Sequence, residues 1–254
     1  MTGAIAIAGG ARAARAFAAR LAAAGFQVEN AQSRAATGSS ARTLLLVPQD
    51  LAECEALLFE TQALARRQPA FERIVIAATL SPRYMRALRG RISPSIVLLD
   101  APFSGTSRAA EQGRLSFFLG GRADDIAALQ PVLAHLGRRA VRMGGFGAAT
   151  AAKVMNDFLA ASSNAMTRIA LDWAEAQGID EARLVDMTGE TLGGLVATGH
   201  DLPEAALSGS GDDCVTSLVR EVEIALDNAL AGAHLTPPRA LEDVFRGLRQ
   251  RHLH

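Results

Sequence analysis

Short apolar runs alternate with longer stretches of helical spacing through the first half of the chain. Residues 4–8 form an apolar run that ends at Gly9 and Gly10. Residues 13–24 read as an alanine-rich helix stopped at Gly25, and 26–29 as a weak second strand. Residues 43–47 are a strong apolar run ended by Pro48, 50–64 carry helical spacing, and 73–78 read as another buried strand. Ser81 and Pro82 open a helix through Leu88, with proline in the first turn. Residues 95–99 and 115–119 are further strands, and 124–136 is helical up to Gly137. Strands alternating with helices imply βαβ units and a mainly parallel sheet.

After Gly147 the pattern changes. Residues 148–177 contain neither proline nor glycine and are rich in Ala, Leu and Met, which predicts a long central helix buried on several sides. Further helices are expected at 180–187, 215–230 and 238–251, with a polar loop at 207–213. The expected architecture is an α/β Rossmann-like domain over residues 1–144, followed by an all-α domain over 145–254 built on that helix. No internal repeat is present.

Composition narrows the function classes. Apolar residues make up 49% of the 254, charged residues 20%, and the formal net charge is zero. Such a balance carries no electrostatic footprint for nucleic acid. Arg138, Arg139 and Arg142 form a local basic cluster, read as solvated surface. Cys54 and Cys214 are too few for a disulfide framework, and the histidines lack metal-ligand spacing. Tyr84 and Trp173 are read as packing residues. No apolar run approaches the roughly 20 residues that span a bilayer, and the start lacks a signal-peptide pattern. The expectation is a cytoplasmic protein with no membrane, nucleic-acid or metal partner.

One basic residue stands apart. Lys153 is the only lysine among 26 Lys plus Arg. Guanidinium stays protonated in proteins, whereas an amine can release and recover a proton when its surroundings favour it. Lys153 is therefore the first candidate for proton-transfer chemistry.

The strand, glycine turn and helix at the start are the context of a dinucleotide-binding fingerprint. Its three glycine positions fall on Gly9, Ala11 and Ala14, so only the turn glycine remains. Ala14 costs one methyl at the helix–strand contact. The methyl of Ala11 faces the surface where phosphates would lie. Gly9, Gly10, Ala11, Arg12 and Ala13 are the candidate phosphate-binding residues. Glu29 is the nearest acid to the end of the second strand, and Arg34 is placed to meet a 2′-phosphate, which leaves NAD and NADP both open.

Two stretches resemble a known family. Asp100-Ala-Pro-Phe-Ser-Gly-Thr106, with Ala110-Glu-Gln-Gly113 and Leu119-Gly-Gly121, resembles the substrate loop of the β-hydroxyacid dehydrogenases. That family includes 3-hydroxyisobutyrate dehydrogenase and glyoxylate reductases and is related to 6-phosphogluconate dehydrogenase. Gly144-Gly-Phe-Gly147, leading into Ala151-Ala-Lys153-Val-Met-Asn156-Asp157, resembles the start of its catalytic helix. The resemblance implies Lys153 as general acid or base during hydride transfer, and Ser104, Gly105, Thr106 and Asn156 as substrate-binding residues. It implies Val47, Pro48, Thr79 and Arg220 along an NAD or NADP cofactor, a small hydroxy or keto acid as substrate, and a homodimer paired through the helical domain.

Three features depart from the family. The fingerprint has lost two glycines. The stretch before Thr43 is about twenty residues short, enough to remove one helix–strand unit of the mononucleotide fold. Asp157 stands where the family has asparagine, and its carboxylate would pair with Lys153, favour proton donation and weaken binding of an anionic substrate. Besides the oxidoreductase, a non-catalytic relative that binds a metabolite or partner protein stays open. So does another reduction, of an aldehyde or imine, although the retained lysine points away from imine reductases.

Overall fold

The structure is a computed structural model that describes residues 4–31, 40–67 and 70–189. Near one edge of its sheet is β1 (Ile5–Ala8), with β2 (Val28–Asn30) on the outer side and β3 (Thr43–Leu46) on the inner. Then follow β4 (Arg73–Ile76) and β5 (Val97–Asp100), and all these neighbours pair in parallel. Among the described residues the order β2-β1-β3-β4-β5 is that of a dinucleotide fold without a strand outside β2. Residues 31–42 are all that link β2 to β3. A single parallel crossover takes about a dozen residues, so there is room for one crossing but not for an extra strand between two.

Strands β1, β3, β4 and β5 are buried on both faces, which explains why their runs are continuously apolar. On one face Ile5, Ile7, Leu45, Val75 and Leu99 pack with Phe17 and Leu21 of α1 (Arg12–Ala23) and Leu133 and Leu136 of α6 (Gln130–Leu136). On the other, Ala6, Leu44, Leu46, Ile74 and Ile76 meet Leu57 and Leu58 of α2 (Leu51–Leu58) and Met85 and Leu88 of α3 (Pro82–Arg91). Tyr84 packs against the second core, and its hydroxyl lies 3.6 Å from the Cys54 sulfur. Burial pushes the Cys54 thiol up to about 11, which suits packing and not nucleophilic work.

Past β5 the chain departs from the parallel pattern. β6 (Phe103–Ser104), α4 (Ser107–Glu111) and β7 (Leu115–Gly120) follow, with β7 antiparallel to both β5 and β6. The expected single helix over 124–136 is two helices, α5 (Ala123–Ala127) and α6. Pro131 is the reason: its ring clashes with the carbonyl four residues back, at Ala127, and it has no N–H to continue the ladder. The helix expected over 50–64 also ends early, at Leu58, before a short 3-10 turn at Leu64–Arg66. The arginine cluster belongs to an unanticipated strand, β8 (Gly137–Gly144), parallel to β7. Arg138, Arg139 and Arg142 are exposed there, as charges that blunt an edge strand should be.

The long helix forms as α7 (Ala148–Ala176), followed by α8 (Glu181–Gly189), but it is not buried on several sides: residues 154–158 are all exposed. Contacts divide the chain into two units, Met1–Phe158 and Leu159–His254, so α7 runs through the division. The expected helices at 215–230 and 238–251 and the loop at 207–213 lie outside the described residues.

Gly9 ties β1 to β3. Its φ is +126°, and a Cβ there would lie 2.0 Å from the Val47 carbonyl oxygen. Gly9→Ala is expected to lower stability by about 2–5 kcal/mol, read as a fall in the urea midpoint.

Candidate active site

Dinucleotide folds bind their ligand where the strand order reverses, at the carboxyl ends of the strands. Here that place lies between β1 and β3. The Val47 N–H donates to the Ala8 carbonyl at 2.7 Å and the Ala11 N–H to the Val47 carbonyl at 3.3 Å, so Gly9, Gly10 and Ala11 turn against Val47 and Pro48. Helix α1 starts directly from this turn with no side-chain cap and no acid in its first turn. Its leading N–H groups have no partner within the helix, and Arg12 beside them is exposed. An uncapped helix start with an arginine fits the phosphates of a dinucleotide. Gly9, Arg12 and Ala13 are the residues that would hold it.

One donor of the turn is already engaged. The Gly10 N–H donates to Glu53 Oε1 at 2.6 Å, the Gln49 N–H donates to Glu53 Oε2 at 2.7 Å, and the Gln49 side-chain amide donates to the Gly10 carbonyl at 2.8 Å. Glu53 sits in the first turn of α2, three residues after Asp50, whose carboxylate accepts the Glu53 N–H at 2.8 Å. The spacing is that of a capping box, but Glu53 reaches past its own helix start to the neighbouring loop. Sequence reasoning missed this residue; the Asp-x-x-Glu spacing was the available signal.

The second assembly starts at Asp100, the last residue of β5. Its side chain is fully buried, with Oδ1 accepting the Gly147 N–H at 2.8 Å and Oδ2 the Thr150 N–H at 2.8 Å. Those are the donors just before α7 and in its first turn. In a capping box two side chains satisfy such donors; here the cap position is a glycine, so one carboxylate from a distant strand serves both. A helix start after Gly147 would suit a bound anion; the acceptor there is Asp100 itself, so the strand-end carboxylate is the clamp on α7.

One turn further along α7 is Lys153, 7% exposed. Its Nζ donates a hydrogen bond to Asp157 Oδ1. Asp157 is about half exposed, at 49%, and Asn156 is exposed. The pair thus joins a buried amine to a carboxylate open to solvent.

The remaining candidates follow the carboxyl ends of other strands. Thr79 is exposed after β4. Ser104 is exposed at the end of β6, and Gly105 follows it. Thr106 caps α4, its hydroxyl oxygen accepting the Ala109 N–H at 3.2 Å, which leaves the hydroxyl proton free to donate. Arg34 and Arg220 lie outside the described residues. Among the described residues there is no cluster of metal-ligating side chains, and no helix is long and apolar enough to cross a membrane.

Comparison with known proteins agrees with a dinucleotide-type fold. Residues 6–145 match the NAD binding domain of 6-phosphogluconate dehydrogenase. A 3-hydroxyisobutyrate dehydrogenase of Pseudomonas aeruginosa is 31% identical over 196 residues, covering 74% of this chain and 66% of that protein. An L-threonate dehydrogenase of Cupriavidus necator is 26% identical over 203 residues, covering 78% of this chain and 67% of that protein. Matches to the first curated relatives thus span about two thirds of their length or less. Among solved structures, a Mycobacterium tuberculosis 3-hydroxyisobutyrate dehydrogenase with L-serine superposes with a TM-score of 0.70 at 21% identity, over 99% of this chain and 95% of that one. That likeness shows the two-domain fold.

Asp100→Asn sets an amide N–H against a backbone N–H at one of the two clamp positions. It is expected to lower stability by about 1–3 kcal/mol, measured by chemical denaturation.

Proposed function

The chain belongs to the β-hydroxyacid dehydrogenase family, and from that membership we propose an NAD- or NADP-dependent oxidoreductase that interconverts a small hydroxy acid and its keto or aldehyde acid. The observation that carries the reading is the burial of the sole lysine amine on the second turn of α7, where Asp100 clamps the helix to the end of β5. When bound, the cofactor supplies or accepts hydride.

Lys153 Nζ moves the accompanying proton. Paired with Asp157, the amine is presented as an ammonium able to donate to a substrate carbonyl oxygen, which is the reduction direction. The Asp157 carboxylate repels an anionic substrate, so substrate binding is weaker than an amide at that position would allow. Ser104 and Thr106 offer hydroxyl donors, and Gly105 a backbone donor, to a substrate carboxylate. Asn156 stands on the same helix as Lys153. Val47, Pro48 and Thr79 would flank the cofactor, and Gly9 to Ala13 would meet its phosphates.

A cytoplasmic homodimer completes the proposal. Val154, Met155 and Phe158 are apolar side chains exposed on α7, and the resemblance implies pairing through the helical domain.

The tests separate binding from chemistry. Millimolar NADH or NADPH is expected to raise the melting temperature, since a ligand of the folded state alone stabilises it. Lys153→Arg keeps the charge and removes the exchangeable proton. It is expected to cost about 100-fold or more in kcat while the cofactor-induced thermal shift persists. Hydroxy-acid turnover retained in that variant would end the assignment of Lys153. No shift with either nucleotide would favour the non-catalytic alternative.

A further inference from the structure

The cofactor crevice is bridged by the chain's own anion. Glu53 spans it, one oxygen on the Gly10 N–H from the β1 side and the other on the Gln49 N–H from the β3 side. The Gln49 amide closes the bridge on the Gly10 carbonyl. A Cβ on Gly10 would come within 2.8 Å of Gln49 Nε2 and 2.9 Å of Glu53 Oε1, so the glycine is what lets the two side chains lie on the turn. Among the described residues no cation pairs with Glu53; its carboxylate is held by N–H donors alone. A diphosphate approaching this turn seeks donors of the same kind and carries charge of the same sign.

We propose that Glu53 is the residue that sets dinucleotide affinity here: its carboxylate stands in for a ligand anion on the Gly10 turn, and a diphosphate binds only by displacing it or by tolerating it. This rests on the dinucleotide-binding reading and adds a determinant that the glycine fingerprint does not contain. It also makes a charge, and not chiefly the methyl of Ala11, the limit on affinity. In the absence of ligand, the same carboxylate keeps the turn satisfied and folded, which a chain with a reduced fingerprint and no outer strand needs.

The test compares Glu53→Gln, Glu53→Ala and Ala11→Gly with the unaltered protein, by calorimetric titration of NADH, NADPH and inorganic pyrophosphate. Thermal melts check that each variant is folded, and Glu53→Ala serves if the glutamine variant is not. Both Glu53 variants are expected to bind the dinucleotides and pyrophosphate about tenfold tighter or more, since a like charge is removed, and Ala11→Gly to gain less. If the Glu53 variants tighten pyrophosphate while neither they nor the unaltered protein binds NADH or NADPH, the carboxylate still guards an anion site and the dehydrogenase reading falls. If the unaltered protein binds NADH and the Glu53 variants bind no ligand more tightly, the inference is overturned and the dehydrogenase reading survives. A gain confined to Ala11→Gly overturns it equally.

Discussion

The hydrogen bonds from Gly147 and Thr150 to the Asp100 carboxylate join two parts of the molecule. One is the parallel sheet whose strand ends form the nucleotide crevice. The other is the helix that carries the only lysine. A fully buried carboxylate is costly unless donors satisfy it, and the start of a helix offers both N–H groups and the positive end of its dipole. Because Gly147 has no side chain to cap α7, the helix start depends on Asp100 as much as Asp100 depends on it. The direction of Lys153, one turn further on, follows from that clamp.

Glu53 repeats the device at the other end of the site. There, too, backbone N–H groups that could receive a ligand anion receive a carboxylate of the chain. The two cases differ in exposure. Asp100 is sealed in and structural, whereas Glu53 is half-buried at the mouth of the crevice, within reach of whatever binds there. Among the described residues no strand lies outside β2, which makes this more understandable. β2 is a three-residue edge, and the β1 turn is steadied instead through β3, by Val47, Gln49 and Glu53.

Much of the fold was legible in the residues. The apolar runs at 43–47 and 73–78 became central strands because both faces of a parallel sheet are buried, so no polar alternation interrupts them. The unbroken stretch after Gly147 became α7 for want of any helix breaker. The shortened link before Thr43 announced the missing strand. Less legible were elements whose pattern is polar or short. β8 reads as a basic surface because an edge strand carries its charges outward, and only pairing with β7 makes it a strand. The break at Ala127 was visible in Pro131 and passed over.

By itself, then, the chain of residues determined the strand–helix alternation, the reduced fingerprint at Gly9, Ala11 and Ala14, and the single lysine with an aspartate one turn away. These are local facts, set by periodicity, breakers and residue chemistry within a few positions. Only the tertiary structure decided where two carboxylates spend their charge. Asp100 and Gly147 are 47 residues apart, and Glu53 and Gly10 are 43 apart. No local pattern records which backbone donor a distant acid will meet; that pairing exists once the sheet brings the ends of its strands together.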